Sequence, residues 1–209
     1  MVELVVFRWA DYDRPFRAHP HSTGGRYQRP GSEPIQYWAL HPLGPWAEFL
    51  RANYVDAPAQ LAHVHQRLWA ARFKFEPSEI LELTYDWARD STQITAEDLV
   101  SDTYMGCQNF AEWARDRYKA LRVPSAALPG TQNLVVFGTR YAAPYQLEPV
   151  DRDLDVPVSV LAEKARPPLN LASYVRFRGQ SHAELDAWIQ GEPFVAPAPL
   201  GVPPATPSF

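Results

Sequence analysis

Twenty-one prolines in 209 residues set the first limit on what this chain can become. Proline fixes φ near about −65° and removes a backbone N–H, so it is confined to loops, sheet edges and the first turn of a helix. The chain must therefore be assembled from many short, interrupted elements. It folds nonetheless: apolar residues make up 46 % and charged residues 21 %, and this length suits one domain with a sizeable core, with room for an appendage.

Alternation in ELVVFRW predicts an opening strand, and IQYWAL predicts a second one after a polar, glycine-rich loop that runs through Gly31. Gly44 and Pro45 start a helix in PWAEFLRANY, where a proline at the first helical position costs nothing. Leu61, Val64, Leu68 and Ala71 predict a second helix over about 59–72. ILELTY reads as a strand, TAEDLV as a short helix start, and the run from Tyr104 to Tyr118 as a longer helix. LRVPSAALPGTQNLVVFGTRY returns to strands broken by proline and glycine turns. Strands at both ends around central helices predict an α+β domain.

The pattern weakens from about Val150, which divides the chain into residues 1–150 and a C-terminal extension, 151–209. In that extension Ser181 and Glu184 predict a capping box for a helix in SHAELDAWIQG, which Gly191 stops. This helix has three open roles: packing on the core, extending a cleft rim, or supporting self-association as a homo-oligomer. The proline-rich tail FVAPAPLGVPPATPSF is expected to be irregular.

A net charge of −4, with no clustered lysine and arginine excess, argues against a general nucleic-acid binder. No segment approaches the roughly 20 apolar residues needed to span a bilayer, and the N-terminus lacks the pattern of a signal peptide. No membrane contact and cytoplasmic residence are expected. The single cysteine, Cys107, stands in an apolar helical setting that favours burial over nucleophilic chemistry. The histidine pairs at 19 and 21 and at 63 and 65 do not make a metal site, the second because i, i+2 positions on a helix point to different faces. Ser125 lacks the GxSxG elbow of a hydrolase nucleophile.

Two features carry chemistry. In HSTGGRYQRPG, Gly24 and Gly25 precede Arg26, whose planar fork suits phosphate or carboxylate. The loop is either an anion-gripping element or an ordinary turn with a solvated arginine. Glu48 is expected in the first turn of a helix, among the apolar Trp46, Ala47, Phe49 and Leu50, either as a partner of the helix dipole or as a catalytic carboxylate set in a hydrophobic wall.

Taken in order, FRW, GGRYQRPG, QYWALHPLGPWAEFLR and VPSAALPGTQNLVVF resemble the RES domain, the toxin half of Res-Xre toxin-antitoxin pairs, over about Leu4 to Arg140. Residues 1–150 then correspond to that domain. The family is named for an arginine, a glutamate and a serine, matched here by Arg26, Glu48 and Ser125. The resemblance implies an ADP-ribosyltransferase-like fold with a split central β-sheet flanked by helices, and a reaction on NAD as substrate without a metal. Members break the bond between nicotinamide and ribose, either destroying NAD with water or inorganic phosphate as acceptor or passing ADP-ribose to a protein. The expected partner is an Xre-type helix-turn-helix antitoxin that covers the cleft.

On this resemblance, Glu48 stabilises positive charge on the ribose and Arg26 holds the pyrophosphate. Gly25 admits the phosphates, Tyr27 and Tyr37 stack on or orient nicotinamide, and Ser125 hydrogen-bonds near the ribose or amide. Arg8 is a second anion contact and Asn133 falls in a matching segment, a structural hydrogen bond being the alternative for each. Gln28 departs from the asparagine usual in the family, which bears on acceptor or ribose contacts. An NAD-degrading toxin is the leading expectation, ahead of an ADP-ribosyltransferase acting on a host protein and of a catalytically silent partner-binding module. A silent module would have no need for Arg26, Tyr27, Glu48 and Ser125 together.

Overall fold

In the computed structural model, which describes residues 1–10, 23–138 and 158–194, the opening strand β1 (Val2–Trp9) buries Leu4 and Val6 and exposes Glu3 and Val5. That period of two sets one of its faces against a core. The other strands are β2 (Ile35–Ala39), β3 (Gln66–Phe75), β4 (Ile80–Glu82), β5 (Ala120–Pro124), β6 (Gln132–Phe137) and β7 (Val158–Ala165). The described strands form one seven-stranded sheet in the order β4-β5-β6-β2-β1-β3-β7. Every pairing is antiparallel except β4 with β5. With its helices this makes a mixed α+β architecture.

The middle of the sheet is a narrow seam. β1 stays in register with β3 from Val2↔Phe75 to Trp9↔Leu68, and β2 with β6 from Ile35↔Phe137 to Ala39↔Asn133. β1 meets β2 through one register pair, Phe7↔Ala39. Side chains from both strands therefore border a gap rather than a ladder.

Along β6, Val135 faces one core and Leu134 and Val136 face another, so this strand is buried on both sides. The first core is covered by α3 (Asp86–Thr92), α4 (Ala96–Val100) and α5 (Met105–Ala114), through Ala88, Leu99 and Phe110 among others, with Leu185 and Trp188 of α6 (Ala183–Ile189). The second gathers Trp38 against Phe73, with ring centroids 5.3 Å apart. A third, around Trp46 and Leu50 of α1 (Gly44–Asn53), takes in Leu171, Val175 and Phe177 from the C-terminal segment. Burying each such side chain stabilises the fold by roughly 1.5–3 kcal/mol. At Gly44 a Cβ would stand 2.4 Å from that of Ala39, so α1 starts in direct contact with β2.

Three expectations are corrected. The helix over 59–72 is a single turn, α2 (Pro58–Leu61), followed by strand β3. Leu61, Val64, Leu68 and Ala71 do fit a helical stripe. In ARFKF, however, Ala71, Phe73 and Phe75 are buried and Arg72 and Lys74 exposed, and pairing with both β1 and β7 takes up the backbone. His63 and His65 thus lie in the turn before β3, where His65 Nδ1 sits 3.2 Å from the His63 carbonyl oxygen. The helix expected from Tyr104 to Tyr118 covers Met105–Ala114, and its end tightens into a turn as Arg117 and Tyr118 donate N–H to the Ala114 carbonyl. In α6 the N-cap is His182, without a side-chain cap, so Ser181 and Glu184 form no capping box. Gly191, at φ +99°, does take the chain out of the helix. The pair His19 and His21 and the tail beyond residue 194 lie outside the described residues.

Candidate active site

A cavity of about 480 Å³ opens at the seam. Arg8 of β1, Tyr37 of β2, Glu48 of α1 and Asn133 of β6 line it, together with Gly25, Arg26 and Tyr27 of the loop before β2. Ser125 stands back from the wall, fully buried.

Glu48 sits in the second turn of α1, beyond the reach of the helix N-terminus, so the dipole alternative drops away. Its Oε1 accepts a hydrogen bond of 2.9 Å from Asn133 Nδ2 and one of 3.3 Å from Ser125 Oγ. The serine hydroxyl is itself fixed by the N–H groups of Ala127 and Leu128, at 3.3 and 3.1 Å. Ser125 therefore acts on the carboxylate from behind rather than on a ribose or amide in the cavity. Among the described residues Oε2 has no hydrogen-bond partner, which leaves half of the carboxylate to face a ligand.

The glycine loop is closed by the Gly25 N–H donating to the Gln28 carbonyl at 2.7 Å and the return bond at 3.2 Å. A Cβ on Gly25 would come within 2.8 Å of Tyr37 Oη. The close approach that this glycine permits is that of Tyr37, whose hydroxyl accepts from the Tyr27 N–H at 3.1 Å. Gln28 is buried and spends its amide inside the loop, donating to the carbonyls of Ser32 and Glu33. Its replacement of asparagine thus bears on the loop's own brace rather than on a ligand contact.

Tyr27 is only 2 % exposed and packs in the first core beside Cys107, so its ring is not an open stacking face. Tyr37 keeps an edge on the cavity. Burial pushes both phenols above the ordinary tyrosine range, and each stays neutral at physiological pH. Burial also raises the thiol of Cys107, which donates to the Asp98 carbonyl at 3.1 Å. That leaves little thiolate for nucleophilic chemistry.

Arg26 donates from one nitrogen to the carbonyls of Leu99 and Ser101, at 3.2 and 2.6 Å, and its guanidinium lies 4.8 Å from the ring centre of Tyr104. Arg8 stacks over Trp38 at 5.8 Å. Several further residues around Arg26 carry no local signal in the sequence. Arg51, three positions after Glu48 on α1, is 3 % exposed, donates to the carbonyls of Ala126 and Arg176, and pairs with Asp102. Asp102 also accepts from the Gly179 N–H at 2.7 Å and from Arg176 at 3.5 Å. Burial opposes its charge, but the Gly179 N–H and the guanidiniums of Arg51 and Arg176 outweigh this and hold the carboxyl below the usual aspartate range. The i, i+3 spacing could have drawn attention to Arg51. Nothing local connects it to Asp102.

A family model described as the RES domain matches residues 5–159. The Mycobacterium tuberculosis protein named "Probable NAD(+) phosphorylase" is 32 % identical over 120 residues, a match that spans 57 % of this chain and 56 % of that protein's length. A chain in the crystal structure of the M. tuberculosis MbcT-MbcA toxin-antitoxin complex superposes with a TM-score of 0.57 at 20 % identity. The superposition covers 84 % of this chain and 90 % of that one, and the two share a fold.

Proposed function

The chain belongs to the RES domain family, and on that premise we propose that it consumes NAD by cleaving the bond between nicotinamide and ribose, with inorganic phosphate as acceptor. The observation that carries this is the Glu48 carboxylate, fixed by Asn133 and Ser125 at the wall of a cavity that Arg26 also lines. The similarity to the M. tuberculosis protein named as an NAD(+) phosphorylase supports phosphate over water.

As the glycosidic carbon–nitrogen bond lengthens, its electron pair moves to the pyridine ring and nicotinamide leaves uncharged. Positive charge is left on the ribose carbon, and the Glu48 carboxylate stabilises it. Asn133 and Ser125 keep Oε1 turned toward the protein, so that Oε2 is the oxygen offered to the sugar. A phosphate oxygen then forms the new bond to that carbon, and the product is ADP-ribose 1-phosphate. Arg26 holds phosphate oxygens of the substrate, with Arg8 as a further cation in the wall. Tyr37, neutral and half-buried, orients the nicotinamide.

The seam-centred sheet supports an ADP-ribosyltransferase-like reading of the fold. Similarity to a chain of a toxin-antitoxin complex supports a toxin role, with a helix-turn-helix antitoxin as the partner that restrains it. Among the described residues no helix is long and apolar enough to cross a membrane, and a reaction on NAD fits the cytoplasm.

The test is to incubate purified protein with NAD, with and without inorganic phosphate, and to separate the products beside the Glu48→Gln variant. Nicotinamide and ADP-ribose 1-phosphate should form only with phosphate and only with the wild type. NAD that survives high enzyme concentration under both conditions would overturn the proposal, and free ADP-ribose without phosphate would change the acceptor to water.

A further inference from the structure

The family match ends at residue 159, yet Arg178 lines the cavity from beyond it. We infer that Arg178 is a phosphate-binding residue of this site, acting with Arg26 across the ring of Tyr104; this rests on the function proposed above.

Both guanidiniums address one aromatic side chain. Arg26 lies 4.8 Å and Arg178 5.7 Å from the ring centre of Tyr104, and Arg178 also donates to its hydroxyl at 2.8 Å. Neither arginine is paired with a carboxylate among the described residues. The contrast with Arg176, two positions earlier and paired with Asp102, shows that the segment has a carboxylate within reach and that Arg178 turns away from it. Two cations gathered at one ring repel each other, and a phosphate group bound beside Tyr104 offsets that repulsion while accepting from N–H donors that each fork has left.

The backbone that presents Arg178 is anchored although the side chain is exposed. Gly179 donates its N–H to Asp102, Arg176 donates to the carbonyls of Val100 and Gln180, both at 2.9 Å, and Val175 and Phe177 are buried against α1. Arg176 and Asp102 thus fasten this segment to residues 99–104, whose carbonyls hold Arg26. The position of Arg178 relative to Arg26 is set by the fold and not by a wandering chain end.

The chemistry recognised is a phosphoryl group, which two sources can supply: the diphosphate of the dinucleotide, or inorganic phosphate as the acceptor. Calorimetric titration separates them. NAD and, in a second series, inorganic phosphate are titrated into the Glu48→Gln variant, which keeps NAD intact, and into Glu48→Gln combined with Arg178→Ala. Loss of a charge-assisted fork should weaken one ligand by about tenfold or more. Weaker NAD assigns Arg178 to the diphosphate, and weaker phosphate assigns it to the acceptor. Arg178→Lys should recover part of the loss, because a point charge remains without the fork. Unfolding temperature should be unchanged in Arg178→Ala, as it would not be if the residue merely held the fold. Unchanged affinity for both ligands overturns this inference alone. If neither the wild type nor the Glu48→Gln protein binds either ligand, the proposed function falls and the inference with it.

Discussion

On the wall of the cavity Glu48 is held by side chains, Asn133 and Ser125, both carried on or beside strands of the sheet. Arg26, also on the wall, is held by main-chain carbonyls at the end of α4, those of Leu99 and Ser101, and the turn that follows is tied through Asp102 to Arg51, Arg176 and Gly179. The first arrangement fixes one carboxylate oxygen against a rigid wall. The second brings two cations, Arg26 and Arg178, to the ring of Tyr104. Under the proposed function this difference divides the labour: the carboxylate serves the bond breaking, and the cations set affinity for the phosphate-bearing part of the substrate.

That division can be broken from either side. Glu48→Gln removes the charge that stabilises the ribose cation while keeping an oxygen for Asn133 and Ser125. Turnover should fall by about a hundredfold or more with little change in unfolding temperature, measured by nicotinamide release and thermal melting. Arg26→Ala should act on the other parameter, raising KM by roughly tenfold to a hundredfold. Arg26→Lys should restore only part of it, since an ammonium keeps the charge but lacks the planar fork that spans two carbonyls and a phosphate.

Ser125→Ala sharpens the comparison because the serine stands behind the carboxylate and not on the cavity wall. The N–H groups of Ala127 and Leu128 lose a buried acceptor, which should cost about 1–3 kcal/mol of stability in denaturant unfolding. The loosened carboxylate should lower kcat by about tenfold and leave KM nearly unchanged. An effect on KM alone would show that the serine contacts substrate after all. The smallest expected effect is a pH dependence. Because the Asp102 carboxyl is held below its ordinary value, its contribution to stability is present above about pH 4 and is lost as pH falls through the lower folded value. The difference in unfolding free energy between wild type and Asp102→Asn should therefore be full at neutral pH and shrink in acid.

Much of the fold was readable where periodicity and neighbours agree. β1, β2, β5 and β6 follow their apolar patterns, and α1 starts at its glycine and proline. β3 was misread because a few apolar residues happen to fit a helical stripe, and only its pairing with β1 and β7 decides the matter. In the candidate site, Arg26 and Glu48 stood out from local context. What braces them did not: Ser125 is 77 residues from Glu48, Asp102 is 51 from Arg51, and Leu99 is 73 from Arg26. The close approach expected at Gly25 is met within the protein by Tyr37, which no local feature of the loop announces.

The most direct test is to measure the NAD dissociation constant and nicotinamide release on one preparation of Glu48→Gln, beside wild type under single-turnover conditions. The division of labour predicts a dissociation constant within a few-fold of wild type, by roughly the scale of a lost rim contact, with turnover abolished. Binding lost together with turnover would show that Glu48 anchors the substrate rather than its reaction. Turnover retained in the variant would remove the carboxylate from the mechanism altogether.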